Sequence, residues 1–318
     1  MALTCDLTDK TFTDETAARA HFEKMRWPDG PICPHCGTID EATELRGEST
    51  RAGLYKCRAC QKPFTATMGT LYEKSHIPLH KWLLATHLMT ASKKGISAHQ
   101  LWRMLGFGSY RTAWFMAHRI REGMRELFPE ETGPLGGEGK TVEIDETFVG
   151  GLEKNKHRNK RKHAGTGGAG KEAVFSLVER DGKVRSHHVH SVSAKTLRPI
   201  LEKHIHAETK VYGDEGGARV GTEFKNHGTV NHSICEYVRG DVHTNTVEGY
   251  FSILKRGING VYHHISQENL KRYLAEFDFR YNERMALDVS DMERTTKAIK
   301  GIVGTRLTYR RPNEAAHA

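Results

Sequence analysis

Four cysteines constrain this chain more tightly than any other feature. Cys33 and Cys36 form one CxxC pair and Cys57 and Cys60 a second, in the C-x2-C-x20-C-x2-C stretch CPHCGTIDEATELRGESTRAGLYKCRAC. Each CxxC turn aims two thiolates at one point, and two such turns complete a tetrahedral zinc site. Residues 31–65 are turn-rich with little core of their own, so the segment needs such a staple. Four thiolates fill the ion, which makes the expected zinc structural. A redox role needs only one pair, and four unliganded buried cysteines are a poor fit to this spacing. Cys5 and Cys235 stand alone, and His35, inside the first knuckle, reads as a surface residue.

The 318 residues suit two or three domains. At 37% hydrophobic, the chain can build packed cores and is not disordered throughout. No apolar run reaches the ~18 residues of a membrane span, and the polar start MALTCDLTDKTFTDE is no signal peptide. A cytoplasmic, nucleoid-associated protein with no membrane partner is expected. The net charge of +9 fits either a solvated basic surface or a polyanion partner, and charge alone does not choose between them.

Along the chain, residues 11–26 predict an amphipathic helix capped by Thr13 or Asp14. Residues 78–93 predict a helix opened by Pro78. A helix over 97–105 carries a Ser97/Gln100 capping box. After the breaker GFGS, a basic helix follows over 110–127, with Ser109 as N-cap and Arg111, Arg119 and Arg121 along it. Capped helix, glycine turn and basic helix resemble a helix-turn-helix, whose second helix enters the DNA major groove. An ordinary helical hairpin has the same grammar.

The Pro/Gly-rich stretch 129–139 reads as a linker. Beyond it the pattern changes to strands: TVEIDETFVGG, AVFSLVER and VRSHHVHSV, the last two joined by DGK. SAKTLRPILEKHI is a helix, TKVYGDEG a strand ending in an acidic turn, and TVEGYFSILKRGI and SQENLKRYLAEFDFRYNERM are helices. This order suits an α/β domain of the RNase H-like class. The basic, glycine-rich segment 154–171, with Lys160, Arg161 and Lys162, interrupts the first hairpin and is expected to grip a DNA backbone. The expected division is 1–75 for the N-terminal helix and ribbon, 76–130 for the helical module, 131–140 for the linker, 141–285 for the catalytic domain and 286–318 for a basic tail.

Three acidic positions stand out. Asp145 lies in an apolar strand, where an unpaired charge is expensive. Asp214 ends the strand TKVYGDEG, and Glu248 starts a helix. Carboxylates at strand ends and on a nearby helix can converge on two hard divalent cations, Mg2+ or Mn2+. Two such ions support an in-line displacement at phosphorus.

The cysteine segment followed by FTATMGTLYEKSHIPLHKWLLA resembles the zinc ribbon of one group of bacterial insertion-sequence transposases. IDETFVGG, VSAKTLRPIL, VYGDEGGA, and HTNTVEGYFSILKRGINGVYHHIS through LAEFDFRYNER resemble their DDE domain, so the likeness runs from about residue 15 to about 311. The resemblance implies an RNase H-like fold, divalent metal and DNA strand transfer between double-stranded transposon ends and target. It matches Asp145, Asp214 and Glu248 to the triad and Lys255 to the basic residue seven positions after Glu248. Some members carry Asn as third residue, and Asn245 shares a helical face with Glu248. Glu248 is expected as the ligand, because a carboxylate holds Mg2+ better than an amide. Asn245 then positions it or a phosphate, or simply caps the helix. Lys255 and Arg256 are expected at phosphates near the cut, or as a solvated helix end. Pairing two DNA ends implies a homodimer or larger assembly.

Two rivals remain from sequence alone. A zinc-containing transcription regulator would bind DNA indifferently to Asp145. A nuclease of the same fold would cut without joining.

Overall fold

A computed structural model describes residues 6–125, 133–151, 157, 159, 168, 170–214, 224 and 226–307. The chain divides into two compact units, one formed by residues 1–125 with 289–318, the other by 126–288.

In the first unit, α1 (Lys10–Thr13) and α2 (Glu15–Arg26) are separated by Asp14. That side chain accepts from Ala17 N–H at 2.8 Å, satisfying a first-turn donor that the helix leaves unpaired. The ribbon follows as an antiparallel sheet of β1 (Ala42–Glu44), β2 (Tyr55–Cys57) and β3 (Pro63–Phe64). Trp27 stands edge-on to Tyr55 and Phe64, giving this small sheet an aromatic cover.

Helix α3 (Leu79–Ala91) is buried nearly all round, with Leu79, Trp82, Leu83, Ala85, His87 and Met89 inside. Helices α4 (Ala98–Met104) and α5 (Tyr110–Gly123) form the hairpin foreseen from the sequence. Ser97 accepts from Gln100 N–H at 3.1 Å and Ser109 from Arg111 N–H at 3.2 Å, while Gly106 turns the chain at φ 61°.

Residues 286–318, expected only as a basic tail, contain a further helix of this unit, Asp291–Lys300, named α9 in chain order. Ser290 and Glu293 form a reciprocal capping box at its start. Thr295 Oγ1 lies 2.9 Å from both His87 Nδ1 and Thr90 Oγ1 of α3. At Gly301 a Cβ would stand 2.1 Å from the Gly123 carbonyl oxygen, so the chain passes the end of α5 only as glycine.

The second unit is built on five strands: β4 (Thr141–Val149), β5 (Glu172–Glu179), β6 (Val184–Val189), β7 (Lys210–Gly213) and β8 (Asn226–Thr229). Their order is β6-β5-β4-β7-β8. β4, β5 and β6 form an antiparallel meander, whereas β7 and β8 run parallel to β4. Between β6 and β7 runs α6 (Ala194–His204).

Alternation along the strands separates two apolar faces. Val142, Ile144, Phe175, Leu177 and Val211 pack with Leu197 and Leu201 of α6. Val174, Val178 and Val184 face Val247, Tyr250, Phe251 and Leu254 of α7 (Asn245–Gly257), and Leu270, Leu274 and Phe277 of α8 (Gln267–Asn282). Each fully buried side chain of this kind contributes roughly 1.5–3 kcal/mol.

The edge of β6 is closed by α8. Val184 N–H donates to Asn282 Oδ1 at 2.7 Å, Asn282 Nδ2 donates back to the Val184 carbonyl at 2.9 Å, and Ser186 N–H donates to Asp278 Oδ2 at 2.7 Å. These side chains take the place of a sixth strand and leave those groups no incentive to pair with another chain. A short hairpin of β9 (Val238–Arg239) and β10 (Val242–His243) then leads into α7. Among the described residues no helix is long and apolar enough to cross a membrane.

Candidate metal centres and nucleic-acid contacts

The four ribbon cysteines converge as their spacing predicts. Their sulfurs all lie within 4.8 Å of one another. Cys33 Sγ to Cys60 Sγ is 3.7 Å and Cys36 Sγ to Cys57 Sγ is 3.6 Å. A disulfide would need ~2.05 Å. Four thiolates at ~2.3 Å from a tetrahedral zinc stand about 3.8 Å apart, so the donor set fits that ion. The local chain makes this possible: Gly37 and Gln61 take positive φ where each knuckle reverses, at 76° and 61°. Cys60 N–H donates to Cys57 Sγ at 3.5 Å, and the hydroxyl and N–H of Thr38 pull the Cys36 thiol down to about 6. His35 is exposed, its Nε2 3.2 Å from the Pro63 carbonyl, and it is no part of the thiolate cluster.

The acidic centre arises from strand register. β4 and β7 pair in parallel up to Ile144 opposite Gly213. Asp145 and Asp214 are the next residue on each strand. Just beyond this pairing the Asp145, Glu146 and Asp214 carboxylates come within 4.8 Å of one another. Burial drives the Asp145 carboxyl up to about 8, reinforced by the charge of Asp214 and then of Glu146 and Glu248; the Glu146 N–H, donating to Asp145 Oδ1 at 2.7 Å, opposes this. Burial and Asp214 raise Glu146 as well. Glu146 was not among the three acidic positions singled out from sequence, because strand alternation sends neighbours to opposite faces.

Glu248 occupies the first turn of α7, and its charge acts on Asp145. It lies outside the tight group of three. Its Oε1 accepts from Thr244 Oγ1 at 3.0 Å and stands 3.9 Å from His232 Nε2. Asn245 is exposed as the first residue of α7; Thr244, not Asn245, holds the N-cap position. Lys255 and Arg256 are exposed in the last turn of the same helix, roughly 10 Å along its axis from Glu248.

The arginines expected to meet DNA on α5 divide three ways. Arg111 is exposed at the start of the helix. Arg119 is half-buried and committed internally: it donates to the Glu73 carbonyl at 2.9 Å, and its guanidinium lies 5.2 Å from the Trp82 ring centre. Arg121 corrects the expectation outright, since it is only 1% exposed. Helical phase explains it: Arg121 follows Ala113, Ala117 and Ile120 on the face turned to the core. Lys160, Arg161 and Lys162 lie outside the described residues.

Comparison with known proteins supplies the context. Residues 134–282 match the ISXO2-like transposase domain, and residues 13–63 match the transposase zinc-ribbon domain. The chain is 30% identical over 285 residues to an uncharacterised protein in the transposable element ISH50 of Halobacterium salinarum, covering 85% of this chain and 92% of that relative. No solved structure matches. A four-cysteine ribbon, an α/β unit with clustered carboxylates at its parallel strand ends, and these matches carry one conclusion: the chain belongs to the insertion-sequence transposases of the ISXO2-like family.

Proposed function

We propose that this transposase binds the terminal inverted repeats of its element, cuts there, and joins the freed 3′ ends to target DNA at the carboxylate centre of Asp145, Asp214 and Glu248. The observation that carries the proposal is the approach of Asp145 to Asp214, with Glu248 close enough to act on Asp145 electrostatically. Clustered carboxylates repel one another, and a chain holds them together at a strand end when a hard cation occupies the gap. Bound there, two Mg2+ or Mn2+ ions would supply activation of the attacking oxygen and neutralise charge on the leaving one. Asp145 is held by its strand and the Glu146 N–H, and Glu248 by Thr244, so these oxygens are oriented before DNA arrives.

The chemistry has two steps. Water breaks the phosphodiester bond at the transposon end and leaves a 3′-hydroxyl. That hydroxyl attacks a target phosphate, forming a new phosphodiester bond and releasing a target 3′-hydroxyl, with no covalent protein–DNA intermediate. Lys255, Arg256 and Arg111 meet phosphates, and Lys160, Arg161 and Lys162 of the basic segment grip the backbone. Asn245 orients Glu248 or a phosphate.

The strand order β6-β5-β4-β7-β8, a meander followed by two parallel strands with helices on both faces, supports an RNase H-like catalytic fold. Zinc in the four-thiolate site would brace a DNA-recognition module made of the ribbon and the α4–α5 hairpin. Two ends must meet for joining, so the working form is a homodimer or larger.

The test is cleavage and joining of the element's own terminal DNA with Mg2+ or Mn2+. Wild type is compared with Asp145→Ala, Asp214→Ala, Glu248→Ala and Asn245→Ala, with end binding checked for each. Lost joining with retained binding in the first three is expected. Robust joining by Glu248→Ala would remove it as third ligand. A folded wild type that binds ends yet never cuts would favour a DNA-binding regulator.

A further inference from the structure

Glu143 is a fully buried carboxylate in the middle of β4, two residues before Asp145 and on the same face of the strand. Burying such a charge is expensive unless every lone pair finds a donor. Arg180 Nε donates to its Oε1 at 2.7 Å and Thr246 Oγ1 to the same oxygen at 2.9 Å. The backbone N–H groups of Thr246 and Val247 donate to Oε2 at 2.7 and 3.0 Å. Those two N–H groups belong to the first turn of α7, where the helix has no carbonyls of its own to offer. The next residue is Glu248.

Arg180 extends the arrangement to the other strand. Its guanidinium lies 5.2 Å from the ring centre of Tyr212, which is paired in register with Glu143 and sits two residues before Asp214. It also donates to Asp241 Oδ1 and to the Asp241 carbonyl, each at 3.0 Å, holding the hairpin that leads into α7. The Glu143–Arg180 pair thus touches the chain one or two residues before each of Asp145, Asp214 and Glu248.

The usual device for a helix start is absent here in a telling way. Thr244 holds the N-cap position but makes no capping bond; its hydroxyl donates to Glu248 Oε1 instead. Glu143 caps the helix from the sheet and leaves Thr244 free to orient Glu248.

We infer that Glu143 and Arg180 form a positioning unit that sets Glu248 against Asp145 and Asp214 and fixes the spacing of the metal-binding carboxylates. This rests on the carboxylate centre proposed above. The unit lies behind the proposed carboxylate ligands rather than among them, so its removal is expected to act on metal affinity and on the rate of joining, not on recognition of the ends.

The test uses the full-length, zinc-replete protein and the variants Glu143→Gln and Arg180→Lys. Glutamine keeps the shape of Glu143 but turns an amide donor toward groups that donate to it. Lysine keeps the charge of Arg180 but loses its fork, while leaving the helix cap in place. The readouts are Mn2+ affinity without DNA, end-DNA affinity, and single-turnover joining. Residues behind metal ligands typically change metal affinity 10–100-fold, so Mn2+ binding about tenfold weaker is expected in Glu143→Gln. Joining should slow in proportion and recover in part at high Mn2+, with end-DNA affinity unchanged; Arg180→Lys should show a smaller change of the same kind. Wild-type Mn2+ affinity and joining in either folded variant, even with a lowered melting temperature, would overturn the positioning role and leave the unit a matter of stability. Should Glu143→Gln fail to fold, Arg180→Lys decides alone. Absence of Mn2+ binding and joining in folded wild type would overturn the carboxylate centre itself, and the positioning role with it.

Discussion

Replacing Asp145 by Asn should make this transposase more stable while abolishing its chemistry. The Asp145 carboxyl is raised from an ordinary 3.8 to about 8 by burial and by the neighbouring carboxylates. The sign follows from linkage. An acid whose folded value is raised binds its proton more tightly in the folded state, so the penalty is absent below about pH 4 and grows to its full size near pH 8. Each unit is worth about 1.4 kcal/mol, which sets a ceiling of about 6 kcal/mol. Asp145 is not fully sealed from water, and screening reduces this to roughly 2–4 kcal/mol. Asparagine keeps an oxygen to accept the Glu146 N–H and carries no charge. For a unit of this size the gain corresponds to about 5–10 °C in melting temperature. Thermal melts of both proteins from pH 5 to pH 8, zinc retained and no Mg2+ or Mn2+ added, should show a gap that widens with pH. Adding Mg2+ should narrow it, because only the wild type gains binding energy. A variant no more stable than wild type at pH 8, or a gap that shrinks as pH rises, would mean that Asp145 carries no such penalty.

Cys57→Ser should release zinc and unfold the ribbon, whereas Cys235→Ser, at an exposed isolated cysteine, should keep full zinc content by metal analysis. Arg111→Ala should weaken end-DNA binding and lower the salt dependence of log Kd by about one unit or less. Arg121→Met should leave that slope alone and act on the melting temperature, since Arg121 is buried. Asn282→Ala should destabilise the catalytic unit by roughly 1–3 kcal/mol in chemical denaturation, because it strands the Val184 N–H and carbonyl at the sheet edge.

Local signals carried much of this molecule's plan. The cysteine spacing located the ribbon cluster, and Asp14, Ser97 and Ser109 begin their helices where their side chains can meet first-turn N–H groups. The three strands around DGK and the acidic end of β7 were equally legible, because alternation and turn residues act within a few positions. What escaped the sequence depended on distant parts of the chain. Glu146 joins the acidic cluster because the pairing of β4 with β7 brings Asp214, 68 residues on, beside it. Arg121 looked like a surface cation until the phase of α5 turned it inward, and α9 was hidden because its partners His87 and Thr90 on α3 lie about 200 residues earlier in the chain. Glu143 is the instructive omission: a charge inside the apolar strand TVEIDETFV was visible, but its donors come from Arg180 and from residues 246 and 247.

Everything proposed for the catalytic unit depends on Asp145, Asp214 and Glu248 holding divalent metal. Titration of Mn2+ into the zinc-replete protein, read by electron paramagnetic resonance, tests it most directly, with Asp145→Asn, Asp214→Asn and Glu248→Gln beside the wild type. Saturable Mn2+ binding is expected in the wild type, lost in the two aspartate variants and weakened in Glu248→Gln, with all four proteins folded. Mn2+ binding of wild-type strength in Asp145→Asn and Asp214→Asn would contradict it.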